Sequence, residues 1–247
     1  MKRRIRGASI PVLLVALWEA GGRAGVLPSD TFSRPSDIVL AAARAFADGS
    51  ILIATWQTVE AALVGFAVAA AAGVLCGAVL GLAPRLERIV GPTVESLRPI
   101  PAIALMPLAL LMFGFGLTLE ASVVAFACVW PVLLVTIAAV RGIEPRLLEL
   151  ARTLEMSFAS SLRKIILPAA LARIVVGLRV AVGIALVVAI TVEIVINPRG
   201  LGYGMIIASQ SLRPDLMYAQ LLWLGLLGWG LNTALSGAAR LWPGASA

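Results

Sequence analysis

Histidine is missing from the sequence, cysteine occurs twice, and only 13% of the 247 residues are charged. Without histidine there is no Ser-His-Asp triad, no Cys-His pair and no His-ligated metal. Cys76 and Cys128 stand alone, too few for a zinc cluster or a disulfide framework. These absences disfavour hydrolytic chemistry in this chain. A soluble domain of this length also needs a charged shell, and 20 Lys+Arg with 13 Asp+Glu are too few and too unevenly placed to make one. Apolar residues, 60% of the total, take up the room. The solvent for most of the chain is therefore lipid.

A bilayer core of roughly 30 Å needs ~20 helical residues. Six stretches approach that length: 10–27, 59–82, 100–117, 121–140, 174–196 and 216–235. The chain thus reads as all-α, a single transmembrane domain over residues 1–247 with no internal repeat. In the first stretch Glu19 and Arg23 make the outer half polar. Lys2, Arg3, Arg4 and Arg6 before a short apolar run also describe a secretory signal peptide, whose cleavage would leave five spans and put the chain ends on opposite sides.

With the amino terminus in the cytoplasm, the inner segments hold Lys2, Arg3, Arg4, Arg6, Arg85, Arg88, Arg98, Arg141, Arg146, Arg152, Arg163, Lys164, Arg173 and Arg240. The outer ones hold Arg23, Arg34, Arg44, Arg199 and Arg213, and Arg179 lies inside a span. A bias of 14 to five sets both ends inside. The net charge of +7 is spread over four separate inner stretches rather than one face, which argues against a nucleic-acid partner.

Two links exceed what a simple bundle needs. In the outer one, residues 28–57, the stretch 36–47 predicts a helix with Ile38, Ala41, Ala42, Ala45 and Phe46 on one side. Gly49 ends it and Ser50 caps the next helix. This helix can lie at the membrane interface or dock an external partner. In the inner link, residues 141–173, Pro145 suits a first helical turn. Leu147, Leu150, Ala151, Leu154 and Phe158 then form one apolar stripe, with Glu149, Arg152 and Glu155 outside it. Such a stripe rests on the bilayer surface or plugs into a cytoplasmic partner. Leu167-Pro168 is expected to stop or kink the chain before the fifth span.

The run from Leu147, LLELARTLEMSFASSLRKIILPAALARIVVGLR, resembles the cytoplasmic loop of permeases of binding-protein-dependent ABC importers, where Glu-Ala-Ala, a glycine and a later Leu-Pro recur. Glu149, Ala151 and Leu167-Pro168 match. Residues 98–116 (RPIPAIALMPLALLMFGFG) are similar to the third-span region of the sulfonate, taurine and nitrate branch, and Gly200-Leu201-Gly202-Tyr203 resembles its outer loop before the last span. Glu155 stands where the family has glycine, and Leu150 replaces its second alanine. Glycine there permits a tight bend, whereas Glu favours continuing the helix to about Ser157.

The resemblance implies a type I importer permease in the cytoplasmic membrane. It would pair with a second copy, most simply as a homodimer, and with two ATPase subunits, fed by an external binding protein. It implies an ATPase-coupling helix formed by Glu149, Leu150, Ala151, Leu154, Glu155, Met156 and Ser157. No GxxxxGK[ST] loop is present, so the chain binds no cofactor directly and ATP with its Mg belongs to the partner. The solute implied is a small anion such as a sulfonate, taurine or nitrate. A secondary transporter or channel is the alternative, but such proteins cluster ionisable groups in mid-membrane.

Inside the spans, Arg179 and Glu193 are costly in lipid, about 2.5 to 3.5 kcal/mol each at mid-bilayer. Arg179 is expected near the inner end, where it snorkels. Glu193, near the outer end, lines the solute path or contacts Arg199. Gly73, Gly77 and Gly81 let helix backbones approach closely, within the chain or across to the second copy. Pro107 and Pro131 each remove a backbone donor and can kink their helices. Met106, Phe113 and Trp130 join Glu193 as candidate path residues.

Overall fold

The computed structural model describes residues 2–26, 28 and 31–240. Its helices are α1 (Lys2–Arg23), α2 (Pro35–Ala47), α3 (Ser50–Leu82), α4 (Pro84–Leu97), α5 (Met106–Phe113), α6 (Leu117–Arg141), α7 (Pro145–Thr153), α8 (Phe158–Ser161), α9 (Leu167–Val195), α10 (Gly200–Gln210) and α11 (Pro214–Arg240). A 3-10 turn, Ala102–Leu105, precedes α5, and a π segment, Leu162–Ile166, joins α8 to α9. There is no strand among the described residues.

Three helical runs are long and apolar enough to cross a membrane: Ser50–Leu82, Leu117–Arg141 and Leu162–Gln210. A fourth appears if Pro84–Leu97 and Ala102–Phe113, bent by 82°, count as one span. The third predicted span is thus not one helix over 100–117. Pro101 and Pro107 hold the start to a 3-10 turn and a new first turn, and Gly114 and Gly116, at φ +68° and +120°, break the other end. Pro131, by contrast, sits inside an unbroken α6. Pro168 does not stop the chain either: the π segment before it carries the helix into α9.

The core is a three-helix seam. Ala62 and Ala69 of α3, Val124, Cys128 and Val132 of α6, and Ala181, Ala185 and Ala189 of α9 form one buried cluster. The alanines of α9 recur every four residues, so a single narrow face meets both neighbours. Between α3 and α6 the approach is closer still. A Cβ on Gly65, Gly73, Gly77 or Gly81 would stand 2.6 to 2.8 Å from Val124, Val132, Thr136 or Val140 respectively. The glycines therefore pack within the chain, and Gly65 and Ala69 extend their four-residue register toward the start of α3.

At the end of the bundle where α3 begins, α2 folds back onto α11. Ile38 and Ala41 are buried with Ala219 beside Trp18 and Tyr218, and Ala45 with Ile51 and Leu201 beside Phe46 and Trp223. Glu19 of α1 accepts the Ser36 N–H and hydroxyl at 3.1 and 2.9 Å, fastening the start of α2. Ser50 does not cap α3. Gly49, at φ +77°, is the cap residue, and the Ser50 N–H donates to Asp48 Oδ1 at 2.9 Å. The Ser50 hydroxyl and amide hold the Asp48 carboxyl below its usual range.

Candidate functional site

At the end of the bundle where α6 gives way to α7, the link is built as a joint. Ala139, Val140 and Ile143 are buried against Ile166, Ala170 and Ile174 at the start of α9. Arg173 donates to the Gly142 carbonyl at 3.3 Å, and Arg141 pairs with Glu87 of α4. The described chain thereby fixes both attachments of α7 to the bundle.

On α7 itself only Ala151 of the candidate residues is turned inward, at 5% exposure. Leu147 and Leu150 on the helix and Leu154 in the turn after it are 36%, 50% and 62% exposed, three and four residues apart, and Glu149 is exposed beside them. The side chain of Phe158, the last member of the predicted stripe, lies outside the described residues. An exposed leucine row on a helix whose other side is seated is an unpartnered surface.

The helix does not continue through Glu155, as its sequence suggested. It ends at Thr153, and Glu155 adopts φ +49°, the left-handed conformation that glycine supplies freely. The Leu154 N–H continues the helical ladder to Leu150 O, and the Met156 N–H reaches back over Glu155 to Ala151 O, both at 3.0 Å, the six-to-one bond of a Schellman turn. Half-buried Met156 leads to exposed Ser157, whose hydroxyl accepts the Ser160 N–H at 3.3 Å and caps α8. Glutamate keeps the bend of the motif here at a cost in backbone strain.

At the opposite end of the bundle, around the α9–α10 turn, the structure assembles a second site, little of which shows in the sequence. The first three N–H groups of α10 are each met by a side chain from another helix. Gly200 donates to Gln57 Oε1 at 2.8 Å, Leu201 to Thr58 Oγ1 at 2.9 Å and Gly202 to Glu193 Oε2 at 2.8 Å. A Cβ on Gly200 would overlap the Glu193 carboxyl, so glycine makes room for it. Glu193 thus caps a helix from a neighbouring one. Arg199 pairs with Glu60 at 3.0 Å instead. Fully buried Asn197 donates to Glu120 Oε2 at 2.9 Å and exchanges two bonds with the Gly116 backbone. This network bolts the α9–α10 turn to α3 and α6.

The four candidate path residues are not brought together. Met106 is buried with Leu119, Val123 and Val192. Trp130 packs beside Leu80 and Leu133, edge-on to Phe126. Phe113 is exposed on α5, and Glu193 belongs to the α10 cap. Arg179 stands half-buried on α9, twelve residues or about 18 Å from the helix start at Leu167.

Residues 69–242 match the family described as binding-protein-dependent transport system inner membrane component. Among curated proteins, "Putative aliphatic sulfonates transport permease protein SsuC" of Escherichia coli (strain K12) is 30% identical over 94% of this chain and 89% of its own length. The taurine transport system permease protein TauC of the same organism is 29% identical over 82% of this chain and 74% of its own. Among solved structures, a chain of the MetNI methionine ABC transporter in an inward-facing conformation superposes with a TM-score of 0.67. It is 20% identical and covers 75% of this chain and 92% of that one, a likeness of fold.

Proposed function

Because the chain belongs to the family of binding-protein-dependent transport system inner membrane components, we propose that it forms half of the solute path of an importer and that α7 is where an ATPase drives it. As a member of that family it is a multi-pass membrane permease of an ABC importer, a transport component and not an enzyme, working with an ATPase and a substrate-binding protein.

The finer reading is six spans with both ends in the cytoplasm, a second copy of the chain across the path and two ATPase subunits below, which supply ATP and Mg. The 14-to-five charge bias supports the orientation. The solute is a small organic anion of the sulfonate kind. Its support is the substrate names carried by SsuC and TauC.

The exposed row Leu147, Leu150 and Leu154 carries the assignment of α7. Fully burying an exposed leucine is worth roughly 1.5 to 3 kcal/mol, so a groove that covers the half-exposed Leu150 and Leu154 gains about 2 to 3 kcal/mol before the cost of association. That contact is firm enough to carry motion. The Schellman turn at Glu155 and the packed joint around Ile143 and Ile174 make the helix a stiff arm. Nucleotide-driven closure of the ATPases then moves the arm and, through α6 and α9, reorients the path.

Co-purification tests this reading. Leu154→Asp and Glu149→Arg should each release the ATPase from the detergent-solubilised complex while the permease keeps its own thermal stability. Normal association in both variants overturns it.

A further inference from the structure

Between α9 and α11 lies a cavity of about 200 Å³, lined by Arg179, Gly183 and Leu186 on one wall and Gly228, Leu231 and Asn232 on the other. Glycines create the space: a Cβ on Gly183 meets nothing within 4 Å, and one on Gly228 meets only Leu186 at 3.6 Å. The walls are otherwise hydrocarbon, so one guanidinium and one amide supply the polarity.

Arg179 is half-buried, its Nε is shielded from solvent, and that N–H has no acceptor. None of the ion pairs among the described residues includes Arg179. A guanidinium with a shielded, unbonded N–H among apolar side chains is unfavourable unless something offsets its charge. The described residues offset it nowhere, and the open space beside it has room for the group that does. Oxygen acceptors with negative charge match a guanidinium fork, and a side-chain amide adds a donor. At about 200 Å³ the cavity falls below the ~300–1,000 Å³ of sites for drug-sized ligands, so the occupant is small.

We propose that the α9–α11 cavity is an oxyanion site, with Arg179 supplying the charge and Asn232 a hydrogen bond. The site rests on the transport reading above for its natural occupant, the acidic group of the translocated solute. A lipid phosphate is the other source of the same chemistry.

Charge-selective labelling of the assembled permease–ATPase complex in phosphatidylcholine liposomes tests the site. In a Cys76→Ser, Cys128→Ser background, Gly228→Cys places a thiol on the cavity wall and Gly183→Cys places one opposite. Each is treated with a methanethiosulfonate reagent bearing either an ethylsulfonate or an ethyltrimethylammonium group. The sulfonate reagent should react faster by roughly tenfold relative to the same two reagents on free cysteine. Arg179→Gln should abolish that preference and Arg179→Lys keep most of it. Millimolar ethanesulfonate should slow the sulfonate reagent if solute is the occupant. If a lipid phosphate occupies the site, phosphatidylglycerol should slow it instead and Arg179→Gln should lower the co-purifying phospholipid. A reagent ratio indifferent to Arg179→Gln, or no modification at either thiol, overturns the site. Because assembly with the ATPase is measured on the same sample, failure of the transport reading is a separate result.

Discussion

Gly77→Ala tests how closely α3 and α6 approach. The added Cβ would stand 2.7 Å from Thr136 Cβ and 2.8 Å from the Leu133 carbonyl oxygen. Neither neighbour yields easily. Thr136 is fully buried and its hydroxyl is bonded to Val132 O at 2.7 Å, while the carbonyl is helix backbone. The helices must separate, which also loosens Gly73 against Val132 and Gly81 against Val140 in the same row. Overpacking of this kind costs about 1 to 3 kcal/mol. The better helix propensity of alanine returns about 0.5 to 1 kcal/mol. The net loss is therefore centred on about 1.2 kcal/mol and at most about 2.5, or roughly 8-fold in the unfolding equilibrium at the centre. Gly225→Ala in α11 is the control, because a Cβ there meets nothing within 4 Å; it should be neutral or slightly stabilising. Reversible unfolding of the purified permease in mixed SDS micelles reads both. If the two variants unfold at the same SDS fraction, the glycine row is not a close contact and the seam has been misread.

Other substitutions probe the two ends of the bundle. Glu155→Gly should relieve about 1 to 2 kcal/mol of left-handed strain and slow amide exchange at Met156, with the ATPase still bound, whereas Glu155→Val should speed that exchange. Glu193→Ala strips the Gly202 N–H of its acceptor and should cost about 1 to 3 kcal/mol in the SDS titration; Glu193→Gln, which keeps a carbonyl oxygen, should cost less. Arg199→Ala should cost about 1 kcal/mol or less, because its ion pair with Glu60 is 20% and 33% exposed.

Much of the bundle was legible in the sequence because lipid leaves few choices: long uncharged runs become helices. The runs over 59–82 and 121–140 fall inside α3 and α6, with the four-residue small-residue register between them. The third span was less legible, since its hydrophobicity said nothing about how Pro101, Pro107, Gly114 and Gly116 divide the run into short pieces. Glu155 was read by its propensity to continue a helix, yet the turn it occupies is set by the chain leaving α7 for α8, and tertiary context won. The network around the α9–α10 turn was hidden for another reason. Gln57, Thr58, Glu120 and Asn197 are far apart in sequence and look like ordinary span-end residues; only the fold reveals Gln57 and Thr58 as caps of α10 and pairs Asn197 with Glu120 and Gly116 beside them. A charged residue abutting a predicted span, as Glu120 does immediately before the run over 121–140, is the signal that pointed there.

The stiff inward arm is the centre of the account, and photo-cross-linking in native membranes addresses it most directly. A benzophenone side chain placed at Leu154, in cells making the whole importer, should form an adduct with the ATPase subunit whose yield changes when ATP is trapped by vanadate. Adducts with phospholipid alone, unaffected by nucleotide, would contradict the account.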